Sequence, residues 1–326
     1  MDLCCPNCRG PVDLGREGYR CPPCRRLYPI VCGIPDFRAS LPHHFNRAAD
    51  LQAAEALAEE EHTLDFEALA HLYFRLKPEP SEELHEKHMA HVAGEEDQAR
   101  LALDLIDGRR ALEPADAVLE VGCGLGQYLA AAAERVEHLA GVDVSLAALV
   151  LTRKRLGRPG LLVAAEAEHL PFPDGAFAAA MAADVLEHLE DPGQALAEMG
   201  RVLKPGAPLF LSTPNRFSLA PEPHVGLWGV GYLPRRWANR YVRWRLGIFY
   251  DDVRTLSALA LRRLLRSRFP GAVTLLIPGL SPRQLERFPP TKRFLARLYL
   301  GLRGIPLARP AFYLFGPFFH ALGVRR

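Results

Sequence analysis

Residues 117–136, AVLEVGCGLGQYLAAAAERV, decide how the rest of the chain is read. Val118, Leu119 and Val121 form a short apolar run of the kind that makes a buried strand, and the stretch from Gln127 to Val136 has the character of a helix. Between them, Gly122, Gly124 and Gly126 let the backbone turn tightly and approach a ligand. A dinucleotide site would use the wider Gly-x-Gly-x-x-Gly spacing, whereas here the pattern is Glu120-x-Gly-x-Gly-x-Gly. The next apolar run, HLAGVDVS, ends in Asp143, placed to hold ribose hydroxyls. Together these features read as a nucleotide-binding strand–turn–helix unit.

The segment that follows, LLVAAEAEHLPFPDGAFAAAMAADVLEHLEDPGQALAEMGRVLKPGAPLFLSTPN (161–215), makes the reading specific. It resembles the type 11 class I S-adenosylmethionine-dependent methyltransferases, the group that includes the quinone-biosynthesis enzymes, and the resemblance runs from about Ala111 to Asn215. It implies an α/β fold with a doubly wound, seven-stranded Rossmann-like sheet, parallel but for one strand, and S-adenosyl-L-methionine as cofactor. It also implies that Glu120 lies near the methionine moiety, that Gly122, Gly124 and Gly126 wrap it, and that Asp143 takes the ribose. Glu166 matches the acid that faces the adenine amine, with Ala167 beside it, and Asp184, Glu187 and His188 stand where the sulfonium methyl points. This chain departs from the family in having Ala178 where an Asp is usual and Glu rather than Asp at 166.

Methyl transfer from a sulfonium is an in-line displacement that asks the protein mainly for alignment, with a base only if the acceptor loses a proton. An imidazole titrates near neutrality, which makes His188 the first candidate base. His224 is the second, in an insertion at 216–255 that follows the fifth strand and is expected to bind the acceptor, with Glu222, Trp228 and Tyr232 around it. The sequence STPNR is not the Asn-Pro-Pro-Tyr motif of amino-group methyltransferases, which favours an oxygen acceptor.

The N-terminus carries a second signal. Cys5-x2-Cys8 and Cys21-x2-Cys24 supply four thiolates at the spacing of a structural Zn2+ site. The stretch CPNCRGPVDL…YRCPPCRRLYPIVCGIP resembles the zinc-ribbon activator subunits of tRNA, rRNA and release-factor methyltransferases over the first 36 residues. The expected organisation is a zinc ribbon at 1–38, a helical linker or lid at 39–110 and a methyltransferase domain at 111–326. In the helical stretch Leu51, Ala54, Leu57 and Ala58 share one face, Glu59–Glu61 reads as a solvated run, and His85, His88 and His91 recur at helical spacing.

With 326 residues, 49% of them hydrophobic, the chain can bury a full core, which excludes a disordered tail protein. Met1-Asp2-Leu3 has neither a basic nor an apolar leader region, so the expected location is cytoplasmic. The net charge of +2 conceals an asymmetry: residues 1–215 hold 20 Lys and Arg against 34 Asp and Glu, and residues 216–326 hold 20 against 4. A basic half of this kind suits an anionic partner. In RRWANRYVRWRLGIF (235–249), Trp237, Tyr241, Trp244 and Ile248 fall at helical spacing beside Arg236, Arg240 and Arg243, and a second apolar stretch runs from Phe294 to Phe319. These features lead to the expectation of a small-molecule or lipid-linked acceptor and peripheral attachment to the inner face of an anionic membrane. The alternative is an RNA methyltransferase that grips nucleic acid with its ribbon, since aromatics beside arginines also stack on unpaired bases.

Overall fold

A computed structural model describes residues 1–43, 45–76 and 96–326; His85, His88 and His91 lie outside the described residues. The central element is a seven-stranded sheet in the order β10-β11-β9-β8-β5-β6-β7. Its strands are β5 (Ala117–Val121), β6 (His138–Asp143), β7 (Leu161–Ala164), β8 (Ala179–Ala183), β9 (Pro208–Pro214), β10 (Gly271–Leu276) and β11 (Phe318–Arg325). β5 pairs in parallel with β6 and β8, β6 with β7, and β8 with β9. β11 runs antiparallel to both of its neighbours. This is the doubly wound sheet, with one reversed strand, that the sequence led us to expect.

Side chains alternate across the pleat, so each strand feeds two cores. Val118, Met181, Phe210 and Leu322 join Leu129, Leu149 and Leu103 in one layer. Leu119, Ala180, Leu209, Leu211 and Ala321 join Leu196, Leu261 and Phe269 in the other. The first layer is closed by α3 (residues 96–107), α4 (Gln127–Ala132) and α5 (Leu146–Leu156), together with α1 (Arg47–Glu60) and α2 (Phe66–Leu76), which pack on α5. α6 (Pro192–Val202) and α8 (Ala258–Arg268) close the second. The helix expected over 127–136 stops at Ala132, and turns carry the chain from there into β6.

The N-terminal segment forms a four-stranded antiparallel sheet, β1 (Asp13–Gly15), β2 (Gly18–Arg20), β3 (Leu27–Val31) and β4 (Ile34–Pro35). It joins the second layer, burying Cys5, Cys21, Tyr28 and Phe37, with the rings of Tyr28 and Phe37 stacked at 4.3 Å. The amide of Phe37 donates to Ala164 O, so the chain leaving β4 adds a bridge to the exposed edge of β7. A partner on that edge satisfies peptide groups that would otherwise be open.

Glu61 differs from the solvated run expected at 59–61. It is buried, and both of its carboxylate oxygens accept from the Arg153 guanidinium of α5. In the basic half, α7 (Arg235–Leu246) ends at Gly247, which leaves Ile248 outside the helix. α9 (Pro282–Arg287) precedes the second apolar stretch, and α10 (Pro290–Leu302), α11 (Arg309–Phe315) and the start of β11 divide it.

His320 of β11 is buried against the edge of Phe210, and burial, with the charge of Arg303, pushes its pKa down to about 4. The unfolded imidazole takes up a proton near pH 6.5, before the folded one does. Stability present above pH 6.5 is therefore lost as pH falls towards 4, by about 3 kcal/mol in all. His320→Leu is expected to flatten this dependence, seen as a smaller drop in urea midpoint between pH 7 and pH 4.5 than in the unsubstituted protein.

Candidate active site

The candidate site is a cavity of about 780 Å³ at the carboxyl ends of β5, β6 and β8, where open α/β sheets place their ligands. The resemblance assigned the cofactor to Glu120, Gly122, Gly124, Asp143, Glu166, Ala167 and Asp184, and all of these line it. Gly126 does not, and instead acts in the turn, with φ +74° at the N-cap of α4. Gly122 and Gly124 are also left-handed, at +67° and +49°. A Cβ on Gly122 would come within 2.3 Å of Val185 Cγ2, whereas a Cβ on Gly124 would meet nothing within 4 Å. Gly122 is thus required by packing, and Gly124 borders the free space of the cavity.

Two carboxylates hold this turn. Asp143 accepts from the amides of Gly124 (2.8 Å) and Ser145 (2.9 Å), tying the glycine loop to the end of β6. Glu120, buried at the end of β5, accepts from Leu129 N at 2.9 Å, where an anion is favoured by the first turn of α4. Glu166 has an engagement that spacing does not reveal. Its Oε1 accepts from the amides of Ala39 (3.0 Å) and Ser40 (2.8 Å), in the segment that leaves the N-terminal module. That segment also brings Ser40, Pro42 and Phe45 to the cavity wall, with Phe74 of α2 nearby. None of these four had a signal in the sequence, because each reaches the site through long-range packing rather than a local motif.

At the other end of the cavity, His188 meets the insertion. Its ring lies edge-on to His224, 4.9 Å between centroids. His224 Nδ1 sits 2.6 Å from Glu222 Oε1, while Glu222 Oε2 accepts from the amides of His224 and Val225 at 2.9 and 3.0 Å. Burial opposes charge on His224, but the hydrogen bond and negative charge of Glu222, with Glu187 behind it, outweigh burial and hold the imidazole above its ordinary value. Glu187 is 0% exposed, receives Thr213 Oγ1 at 2.9 Å, and has its pKa pushed up to about 8 by burial and by the Asp184 carboxylate. Donor atoms of Glu187, His188 and His224 lie within 4.8 Å of one another, close enough to exchange a proton or to hold a cation between them. Trp228 and Tyr232, expected in the pocket, instead stack on each other at the surface. A second cavity of about 450 Å³ shares His188, Leu189 and Glu190 with the first and adds Phe249, Asp251, Asp252 and Arg254.

The four cysteine sulfurs also converge. Cys5 and Cys24 Sγ are 3.9 Å apart, Cys8 and Cys21 Sγ 3.5 Å, and all four lie within 4.8 Å of one another. Zn–S bonds of about 2.3 Å in a tetrahedron require sulfurs about 3.8 Å apart, so the set fits. Asn7 Nδ2 donates to Cys24 Sγ, and the Tyr28 hydroxyl lies 3.1 Å from Cys5 Sγ, as outer partners of such a site do. Cys4, outside the set, is buried and donates its amide to Pro171 O.

Sheet order, glycine loop and acid at the second strand are those expected from the resemblance to class I methyltransferases, and residues 119–211 match the family described as a methyltransferase domain. Over 127 residues the chain is 39% identical to a ubiquinone biosynthesis O-methyltransferase of Hahella chejuensis, covering 36% of this chain and 50% of that protein. It is 33% identical over 158 residues to the protein of the same name from Pseudomonas aeruginosa, covering 46% and 61%. The chain thus spans half to three-fifths of the length of these relatives. A geranyl diphosphate C-methyltransferase of Streptomyces coelicolor superposes with a TM-score of 0.47 at 21% identity, covering 77% of this chain and 86% of that one.

Proposed function

We propose that the chain is an S-adenosyl-L-methionine-dependent methyltransferase acting on an oxygen of a small-molecule or lipid-linked acceptor. The observation that carries this reading is that one cavity has the glycine loop, Asp143 and Glu166 at one end and His188 at the other, where the His188 ring packs on His224 of the Glu187–His224–Glu222 group. The bound cofactor supplies an electrophilic methyl group. Asp143 would hold ribose hydroxyls, Glu120 and the glycine backbone the methionine end, and Glu166 and Ala167 the adenine side. The acceptor would enter through the smaller cavity beside His188. His188 lines both cavities, and His224, fixed through Nδ1 by Glu222 and with Nε2 3.8 Å from Glu187 Oε1, packs behind it; His188, or His224 through it, would take the acceptor's proton as the new bond forms. Titration calorimetry with S-adenosylhomocysteine is expected to show binding by the unsubstituted chain. Gly124→Arg, which fills the free space, should abolish it, and Asp143→Ala should weaken it by roughly tenfold or more. Tight binding of NAD in its place would refute the assignment.

The N-terminal module is proposed to hold one structural Zn2+ on Cys5, Cys8, Cys21 and Cys24, which lets so short a segment fold. Elemental analysis should return one zinc per chain, lost in Cys21→Ser. Retention of metal by that variant would show that the ligand set is wrong.

A surface of the basic half supports attachment to an anionic bilayer. On α7 and just beyond it Trp244 is 75% and Phe249 68% exposed, with Arg245 over the Trp244 ring and Arg243 over Phe249. Phe294, Leu295 and Leu298 of α10 are exposed too, and Leu307 is 94% exposed. No helix among the described residues is long and apolar enough to cross a membrane. Aromatics ringed by arginines are suited to the headgroup boundary, and Phe249 belongs both to this surface and to the smaller cavity. Sedimentation should show binding to vesicles containing phosphatidylglycerol and not to neutral ones, reduced by Trp244→Ala with Phe249→Ala. RNA retained on filters with a steep salt dependence, without vesicle binding, would favour the RNA methyltransferase reading instead.

A further inference from the structure

The segment between β4 and α1 holds a buried charge network that joins two walls of the cofactor cavity. Arg38 lies at its centre, with its side chain 1% exposed. Its Nε and Nη2 each donate at 2.8 Å to the two oxygens of Asp36, and its Nη1 donates to Asp50 Oδ2 of α1 at 2.9 Å. The same Nη1 donates at 2.8 Å to the carbonyl of Val144, the residue directly after Asp143. Asp50 in turn accepts from Ser145 Oγ (2.7 Å) and from the amides of Leu146 (3.1 Å) and Ala147 (3.4 Å) at the start of α5. Loop 143–145 is therefore gripped from below by one guanidinium and one carboxylate, neither of which lines the cavity.

The other end of the network leads to the opposite wall. Ala39 and Ser40, next in sequence after Arg38, donate their amides to Glu166, and Phe45 lies beneath the guanidinium, 5.9 Å from its ring centroid. On the near side Phe37 N is bonded to Ala164 O, so the segment is moored to the sheet where it begins. A simple helix-to-sheet linker would need no buried arginine. Burying this one with two carboxylates carries a desolvation cost that is recovered only if the geometry is held.

Building on the methyltransferase reading above, we propose that Arg38 is a positioning residue for the adenosine half of the cofactor, setting the loop that carries Asp143 and the strap that meets Glu166. It acts through these groups and touches no substrate. Its planar fork is what the role requires, because it bonds Asp36 through two nitrogens and still reaches Asp50 and Val144 with the third. Lysine retains the charge but cannot serve three acceptors in those directions.

The test uses the full chain and two ligands that share the adenosine half, S-adenosylhomocysteine and 5′-methylthioadenosine. Arg38→Lys and, separately, Asp50→Asn are expected to weaken both ligands by a common factor of roughly tenfold. Glu120→Gln, at the amino-acid end, should weaken S-adenosylhomocysteine alone. Melting of each variant without ligand separates a general loss of stability, and calorimetry is run well below the melting midpoint. If Arg38→Lys does not fold, Asp50→Asn still decides the matter, since it preserves shape and leaves Arg38 paired with Asp36. Unchanged affinity for both ligands in the folded variants would overturn the proposal, as would a loss confined to S-adenosylhomocysteine. Failure of the unsubstituted chain to bind S-adenosylhomocysteine would instead overturn the reading on which it rests.

Discussion

The site depends on a backbone that reverses direction within five residues after β5. Three left-handed glycines make that reversal, and Gly122 in particular lies where Val185 leaves no space for a Cβ. A turn this tight exposes peptide N–H groups at the head of α4, and the structure uses them: Gly124 bonds Asp143, and Leu129 bonds Glu120. Both acids therefore have two tasks. They stabilise the turn as folded and both line the cavity, so the contacts that shape the loop also shape the cavity wall.

The parts of this design that are local were legible from the residues alone. Strand, glycine spacing and terminal acid follow one another within about thirty positions, and the two cysteine pairs within twenty. Each is bound to its neighbours by backbone geometry or by a single metal's reach. The basic and apolar surface could also be read, because charge and aromatic content are properties of composition. What could not be read is set by packing between distant segments. Glu61 looked like one of three solvated acids until α1 was seen against α5, where Arg153 meets it. Arg38 is a single basic residue in an acidic half, with no periodicity to mark it. Trp228 and Tyr232 misled in the opposite sense, since two large rings in a loop can cover each other and leave the pocket to smaller, charged groups.

The two ends of the cavity are built on different principles. At the glycine-loop end the carboxylates are anchored by amides from the 39–40 segment and from the 124–129 turn, which fixes their direction. At the His188 end Glu187, Asp184 and His224 lie close enough that none can change charge without affecting the others. The two ends thus differ in how firmly their charges are held. They belong to parts of the chain with opposite net charge only in so far as His224 and Glu222 come from the basic half.

The position of β11 has a consequence for how the molecule is made. It lies between β9 and β10, pairing with Pro208–Pro214 on one side and Gly271–Leu276 on the other, although it is the last of the three in the chain. Until residues 318–325 have left the ribosome, both neighbours have an open edge and Phe210 lacks its covering from Leu322. Strands β5 to β8, which carry the glycine loop and its acids, have all of their partners, β9 included, in the chain by Pro214, well before β11 begins at Phe318. The strands around the glycine loop can therefore assemble while the basic half is still being translated, and that half remains without a completed sheet beneath it until synthesis reaches β11.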